Sequence, residues 1–347
     1  MIKFGNLLPI PNSPPANLIK IAKRCEELGF DSVWVVDHLL MIPTGIVPEA
    51  LTLLSAIAIQ TNKVLIGTCV SDPHRRHPAV FAQMVATIDQ ISNGRMIVGL
   101  GPGEAMNLEQ FGIDWSKPVS KMEEFTNAIR ELWEKDIVNF DGKFWRFKNA
   151  FLQIKPAQKQ VPIYFGANGK RTRELTAKLA DGWLPTPRTP ELYKKNLEEI
   201  KQFAEKIGRK LSNFEACLYV YVAAAERRED ALNQLKKIKP IIAFFPKVIK
   251  EAGYDVNIPE KLSDNLYSMI RVDEVGMKLY EEFGKYIPDE VVEAFSIVGT
   301  PSECEDKVEE FVKAGVRHFV IVNTGPDPRF VMKMFSERII PVYKEVS

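Results

Sequence analysis

Short apolar, β-branched runs alternate with longer stretches of helical period along nearly the whole chain. Residues 2–8 read as a first strand, and residues 15–28 as a helix that Gly29 stops. The run SVWVV at 32–36 is a second strand, and a helix near 50–60 leads to a third at 64–70. Residues 95–100 form the fourth, followed by an amphipathic helix over 119–134 and a hairpin, VNFDGKFWRFK, turning at Asp141-Gly142. Runs at 161–165, 183–184, 214–225 and 317–322 complete eight strand signals. Eight strands with intervening helices predict an α/β fold, a (β/α)8 TIM barrel spanning 1–347 as one domain, rather than a doubly wound sheet. No G-x-G-x-x-G follows the first strand, which argues against a Rossmann unit.

About 90 residues separate the seventh and eighth strands, several times the usual connection. They include IKPIIAFFPKVIKEAGYDV and EVGMKLYEEFGKYIPDEVVEAF, both helical in period. An insertion after a barrel strand belongs over the mouth, so residues 228–295 are expected to form a helical lid or substrate wall.

The polar residues that interrupt this pattern cluster just after strands, at the barrel end where ligands sit. His38 ends the second strand; an imidazole there can reach a ligand and exchange protons near neutrality. Asp37 alternates to the other side of that strand and suits backbone or cofactor contacts. After the third strand comes Cys69-Val70-Ser71-Asp72-Pro73, then His74-Arg75-Arg76-His77-Pro78. The adjacent arginines argue against a metal, and His77-Pro78 reads as the start of the next helix. After the fourth strand, Gly101-Pro102-Gly103-Glu104 would let backbone approach a flat ring or a phosphate, although an ordinary βα turn would look the same. After the fifth, Gly166-Ala167-Asn168-Gly169 precedes Lys170, Arg171 and Arg173. Small residues before a helix N-terminus suit a phosphate, and the three basic residues would suit a polyanionic ligand tail, although a solvated basic first turn would look the same; basic residues normally avoid that end, which favours an anion.

Composition narrows the classes. The net charge is +1 with 26% charged residues of mixed sign, so there is no basic footprint for nucleic acid. The apolar runs are strand-sized, far below the ~20 residues of a membrane span, and the first residues lack a signal-peptide pattern. A cytoplasmic protein with a small-molecule partner is expected, with neither nucleic acid nor membrane. Cys25, Cys69, Cys217 and Cys304 have no short C-x-x-C spacing and read as reduced thiols, Cys69 as a small side chain in a tight site. No serine elbow, P-loop or zincin motif occurs. A barrel with a well-placed His, a carboxylate and a phosphate site fits cofactor-assisted redox chemistry better than hydrolysis.

Several runs resemble the bacterial luciferase-like superfamily: Asp37-His38, Gly67-Thr68-Cys69-Val70, Arg76-His77-Pro78, TIDQISNGR at 87–95, Gly101-Pro102-Gly103-Glu104 and Ala180-Asp181-Gly182-Trp183. Within it the chain looks most like the branch that uses the deazaflavin coenzyme F420. The run EAFSIVGTP at 293–301, with KAGV at 313–316, is similar to methylenetetrahydromethanopterin reductases. Glu104 and Asn107 are more like F420-dependent sugar-phosphate and secondary-alcohol dehydrogenases. The resemblance implies F420, with FMN as the alternative cofactor, in the barrel mouth. Its ring would lie against the third-strand bulge, its phosphate near Gly166 to Gly169. The cofactor contacts so implied are Asp37, Cys69, Val70, Asp72, Pro102, Gly103, Asn107, Gly166, Ala167, Asn168, Gly169 and Thr186. His38 or Glu104 would carry the proton in a hydride transfer to or from a substrate held beneath the insertion. The resemblance further implies a non-proline cis peptide at Cys69-Val70 and a homodimer or homotetramer.

Overall fold

Eight parallel strands close on themselves in a computed structural model that describes residues 1–257 and 271–344. In chain order the strands are β1 (Lys3–Leu7), β2 (Ser32–Val35), β3 (Leu65–Thr68), β4 (Met96–Leu100), the hairpin pair β5 (Val138–Asp141) and β6 (Arg146–Ala150), β7 (Ile163–Phe165), β8 (Gly182–Trp183), β9 (Glu215–Ala224), β10 (Ile297–Gly299) and β11 (His318–Asn323). The circuit runs β1-β2-β3-β4-β7-β8-β9-β11 and back to β1. The TIM barrel read from the sequence is the observed fold.

Proline marks the helix starts. Helices α1 (Pro15–Glu27), α3 (Pro78–Ser92), α4 (Pro118–Glu134) and α6 (Pro190–Lys206) all begin on one, where the missing N–H costs nothing; α2 (Ala50–Gln60) and α5 (Lys170–Leu179) do not. The barrel interior is packed solid rather than open. Trp34 and His318 are fully buried there, and Ser32 Oγ accepts from Trp34 Nε1 at 2.7 Å and bonds His318 Nε2 at 2.7 Å. Burial drives His318 down to about 3, so it is a neutral core histidine. Below the mouth, Arg95 ties α2, α3 and the start of β4 together through Ser92 O, Thr61 Oγ1 and the carbonyls of Ala58, Thr61 and Val64.

One strand went unread. β10 pairs with β9 from Ile297↔Val222 to Gly299↔Ala224, beyond the point where β8 meets β9 at Glu215 and Ala216. Three residues are too few for a period-2 signal to stand out. The long connection therefore divides in two. A helical part, with helices at Arg228–Leu232, Leu235–Ile242, Pro246–Glu251, Glu274–Gly284 and Asp289–Ala294, returns through β10 and the helix Pro301–Lys313 to β11. The helical part has its own core around Ile242, Tyr280, Phe283 and Phe295. Residues 258–270 of the expected insertion and 345–347 of the expected domain lie outside the described residues. No described helix is long and apolar enough to cross a membrane.

Candidate active site

The strand ends converge on a cavity of about 380 Å³ whose upper wall comes from the helical insertion. Its floor is set by β2 and β3. Asp37 has its carboxylate buried in a knot of partners: Ser71 Oγ donates at 2.5 Å, Arg76 donates twice at 2.8 and 3.0 Å, and Arg75 lies at 2.9 Å. Burial opposes its ionisation, but Arg75, Arg76 and Ser71 outweigh that and hold the carboxyl below the usual aspartate range. Asp72 accepts from the backbone N–H groups of His74 and Arg75 at 2.8 and 3.1 Å and from Arg75 Nε at 2.5 Å. These two carboxylates shape the β3 loop.

The Cys69-Val70 peptide is cis, as the family resemblance implied. Burial pushes the Cys69 thiol up to about 12, so it stays protonated and inert at neutral pH. Val70 fills the space left by glycines: a Cβ on Gly101 would come within 2.6 Å of Val70 Cγ2, and one on Gly166 within 3.3 Å. Gly103 takes φ +77°, a conformation other residues resist, and brings the Pro102–Glu104 backbone to the cavity edge. At the far end α5 opens with Gly169 as its N-cap residue and no side-chain cap, and a Cβ there would meet nothing within 4 Å. Uncapped N–H groups facing a cavity make an anion seat. Glycine-lined backbone beside Val70 plus this helix end fits a flat ring carrying a phosphate tail.

The basic residues behind that seat behave differently from expectation. Arg173 is 5% exposed and saturated: it pairs with Glu199 at 2.8 Å and Glu251 at 3.1 Å and donates to Asn168 O at 2.6 Å. Lys170 and Arg171 are exposed on the first turn of α5 and do not line the cavity. A buried arginine cannot stay unpaired, so Arg173 serves the fold rather than an anion. Another buried arginine, Arg188, was missed in the sequence; it bonds Asn168, Thr186 O and Asn196. Asn168 Oδ1 also accepts from Thr186 Oγ1 at 2.9 Å, which holds both residues at the wall.

His38 Nε2 lies 3.8 Å from Glu104 Oε2, with the two side chains 23% and 25% exposed toward the cavity. That separation is beyond a direct hydrogen bond but within range for a shared proton-handling role once a substrate group intervenes. His38 Nδ1 is buried and accepts or donates no hydrogen bond among the described residues. Asn107 holds the loop after His38: its Oδ1 accepts from Leu39 N and Leu40 N, each at 2.9 Å.

Of the positions expected from the sequence, His38, Glu104, Asp37, Cys69, Val70, Asp72, Pro102, Gly103, Asn107, Gly166, Asn168, Gly169 and Thr186 all line this cavity. Ala167 does not; it is fully buried, and its carbonyl accepts from Trp183 Nε1 at 2.8 Å. An aromatic wall went unread. Tyr219 and Tyr221 stand two apart on β9, so both point inward, with hydroxyls 3.1 Å apart. Phe244, Phe245 and Tyr280 face them from the insertion. Burial raises the Tyr219 and Tyr280 hydroxyls well above the ordinary tyrosine value, so both stay neutral. The alternation in FEACLYVYVAAA was the available signal. No lysine or arginine is among the described residues lining the cavity.

Comparison with known proteins places this geometry among relatives. Residues 2–318 match the family model described as luciferase-like monooxygenase. The 5,10-methylenetetrahydromethanopterin reductase of Archaeoglobus fulgidus is 29% identical over 99% of this chain and 100% of its own. The F420-dependent glucose-6-phosphate dehydrogenase of Microbacterium testaceum is 30% identical over 98% of this chain and 97% of its own. Among solved structures, an F420-dependent secondary alcohol dehydrogenase in complex with an F420-acetone adduct has a TM-score of 0.84 at 26% identity, covering 98% of this chain and 99% of that one.

Proposed function

The chain belongs to the luciferase-like monooxygenase family, and from that premise we propose that it is a coenzyme F420-dependent oxidoreductase acting on methylene-tetrahydromethanopterin. The relatives named as F420-dependent enzymes or as methylenetetrahydromethanopterin reductases span nearly the whole chain, which supports the cofactor and the reaction class. Backbone at Pro102, Gly103 and Gly166 would hold the ring against Val70, and the uncapped start of α5 at Gly169 would hold the phosphate. Bound there, the deazaflavin supplies a hydride, two electrons at a time.

The chain's own residues do the rest. His38 and Glu104 hold and deliver the proton that accompanies the hydride, at the cavity edge where substrate sits. The apolar lining excludes water, and the insertion's aromatic wall fixes a flat substrate over the ring.

The observation that carries the substrate reading is the composition of that wall. Tyr219, Tyr221, Phe244, Phe245 and Tyr280 suit a fused aromatic heterocycle such as a pterin, while no lysine or arginine among the described lining residues is available to a phosphorylated sugar. A secondary-alcohol dehydrogenase is the second reading, favoured by the His38–Glu104 pair and by the likeness to the solved alcohol dehydrogenase. A substrate panel with F420 separates them. Methylene-tetrahydromethanopterin is expected to turn over with reduced F420, while 2-propanol and glucose 6-phosphate leave oxidised F420 unchanged. Turnover of glucose 6-phosphate would sink the argument from the missing cation; turnover of 2-propanol alone would select the second reading.

A further inference from the structure

Asn107 sits where the two halves of the proposed proton pair meet, and its amide bonds to both sides. Its oxygen end is identified by its partners: two backbone N–H groups, Leu39 and Leu40, point at Oδ1 from 2.9 Å, so the –NH2 end faces Glu104. There Nδ2 donates to Glu104 Oε2 at 3.1 Å. Oε2 is also the oxygen that faces His38 Nε2 at 3.8 Å. Glu104 Oε1 accepts no hydrogen bond from any described residue. Asn107 itself is 4% exposed.

We propose that Asn107 is a positioning residue that sorts the two oxygens of Glu104, committing Oε2 to the protein and leaving Oε1 to the substrate's proton. The same side chain clamps the Leu39–Leu40 backbone, so His38 and Glu104 move as one unit. A carboxylate free to rotate would offer either oxygen and lose alignment with the substrate, and misplacement by about 1 Å can cost about a hundredfold in rate. This proposal rests on the reading of His38 and Glu104 as the proton-handling pair.

Two substitutions separate its two tasks. Asn107→Asp keeps an acceptor for Leu39 N and Leu40 N but replaces the donor toward Glu104 with a like charge. Asn107→Ala removes both. For Asn107→Asp, hydrogen exchange of the Leu39 and Leu40 amides in the cofactor-free protein should stay slow. Its kcat for methylene-tetrahydromethanopterin reduction should fall about 10- to 100-fold, with KM and the F420 dissociation constant within about threefold of wild type. For Asn107→Ala, kcat should fall as far and the two amides should exchange at least about tenfold faster. An Asn107→Asp enzyme with wild-type kcat, or one whose loss of rate is matched by loss of F420 affinity, overturns the proposal. Glu104→Gln distinguishes the two levels of failure. If it is inert while Asn107→Asp is fully active, the proposal alone falls; if Glu104→Gln retains wild-type turnover, the reading of the pair falls and the proposal falls with it.

Discussion

Glu104→Gln is expected to abolish most turnover while leaving cofactor binding intact. Glutamine keeps the shape of the side chain, and its carbonyl oxygen can still accept from Asn107 Nδ2, now 3.1 Å from Oε2. What it loses is the negative charge and the ability to take and release a proton. General acid–base groups contribute about 10²–10⁴ in rate, so kcat should drop by about that factor. The proposed ring seat lies on glycine backbone and Val70, and the proposed phosphate seat on α5, so F420 affinity is expected to change by less than about threefold. Single-turnover hydride transfer and fluorescence titration report the two quantities separately. A variant that loses affinity and rate in parallel would mean that Glu104 serves the cofactor rather than the proton.

Asp37→Ala is expected to give the largest loss of stability among changes at the mouth. The Asp37 side chain is 1% exposed and pairs with two arginines that are themselves largely buried. Removing one partner of a buried ion pair costs about 3–5 kcal/mol, since it strands a charge. Here Arg75 retains Asp72 at 2.5 Å and Arg76 retains Glu49 at 2.5 Å, which puts the expected loss near the lower end, about 3 kcal/mol. The pH dependence follows from the sign of the shift. The folded-state value of Asp37 is depressed, so its contribution is fully present above the unfolded aspartate value and is lost as pH falls through the folded one. Urea unfolding should therefore show a wild-type advantage that is constant near neutrality and shrinks in strong acid. An advantage that grew on acidification would contradict the assignment.

The barrel was legible because its signal is physical and repeated. Runs such as SVWVV and RHFVIV are β-branched strands buried on both faces, and prolines at helix starts punctuate the spaces between them. Part of the site's wall was legible for a related reason: Gly101 and Gly166 stand after strand ends where little more than backbone fits beside Val70. The aromatic wall was harder to see. Tyr219 and Tyr221 look like strand core until the barrel is closed, and Phe244, Phe245 and Tyr280 look like helix core until the insertion is laid over the mouth. Arg173 misled because a sequence shows a cation but not its partners. Glu199 and Glu251 lie on other helices and consume it. Asp37 was hard to assign for the same reason, its arginines arriving from the loop after β3. Partnership across the fold, rather than residue type, separates these structural charges from the pair at His38 and Glu104.

A barrel mouth built for F420 should distinguish it from FMN, and parallel titration of the purified protein with the two cofactors, followed by fluorescence quenching, is the decisive experiment. Saturable F420 binding is expected at low micromolar concentration or below, about −8 kcal/mol or better, with negligible affinity for FMN. Preferential binding of FMN would contradict it and move the search for substrates to oxygen-dependent chemistry.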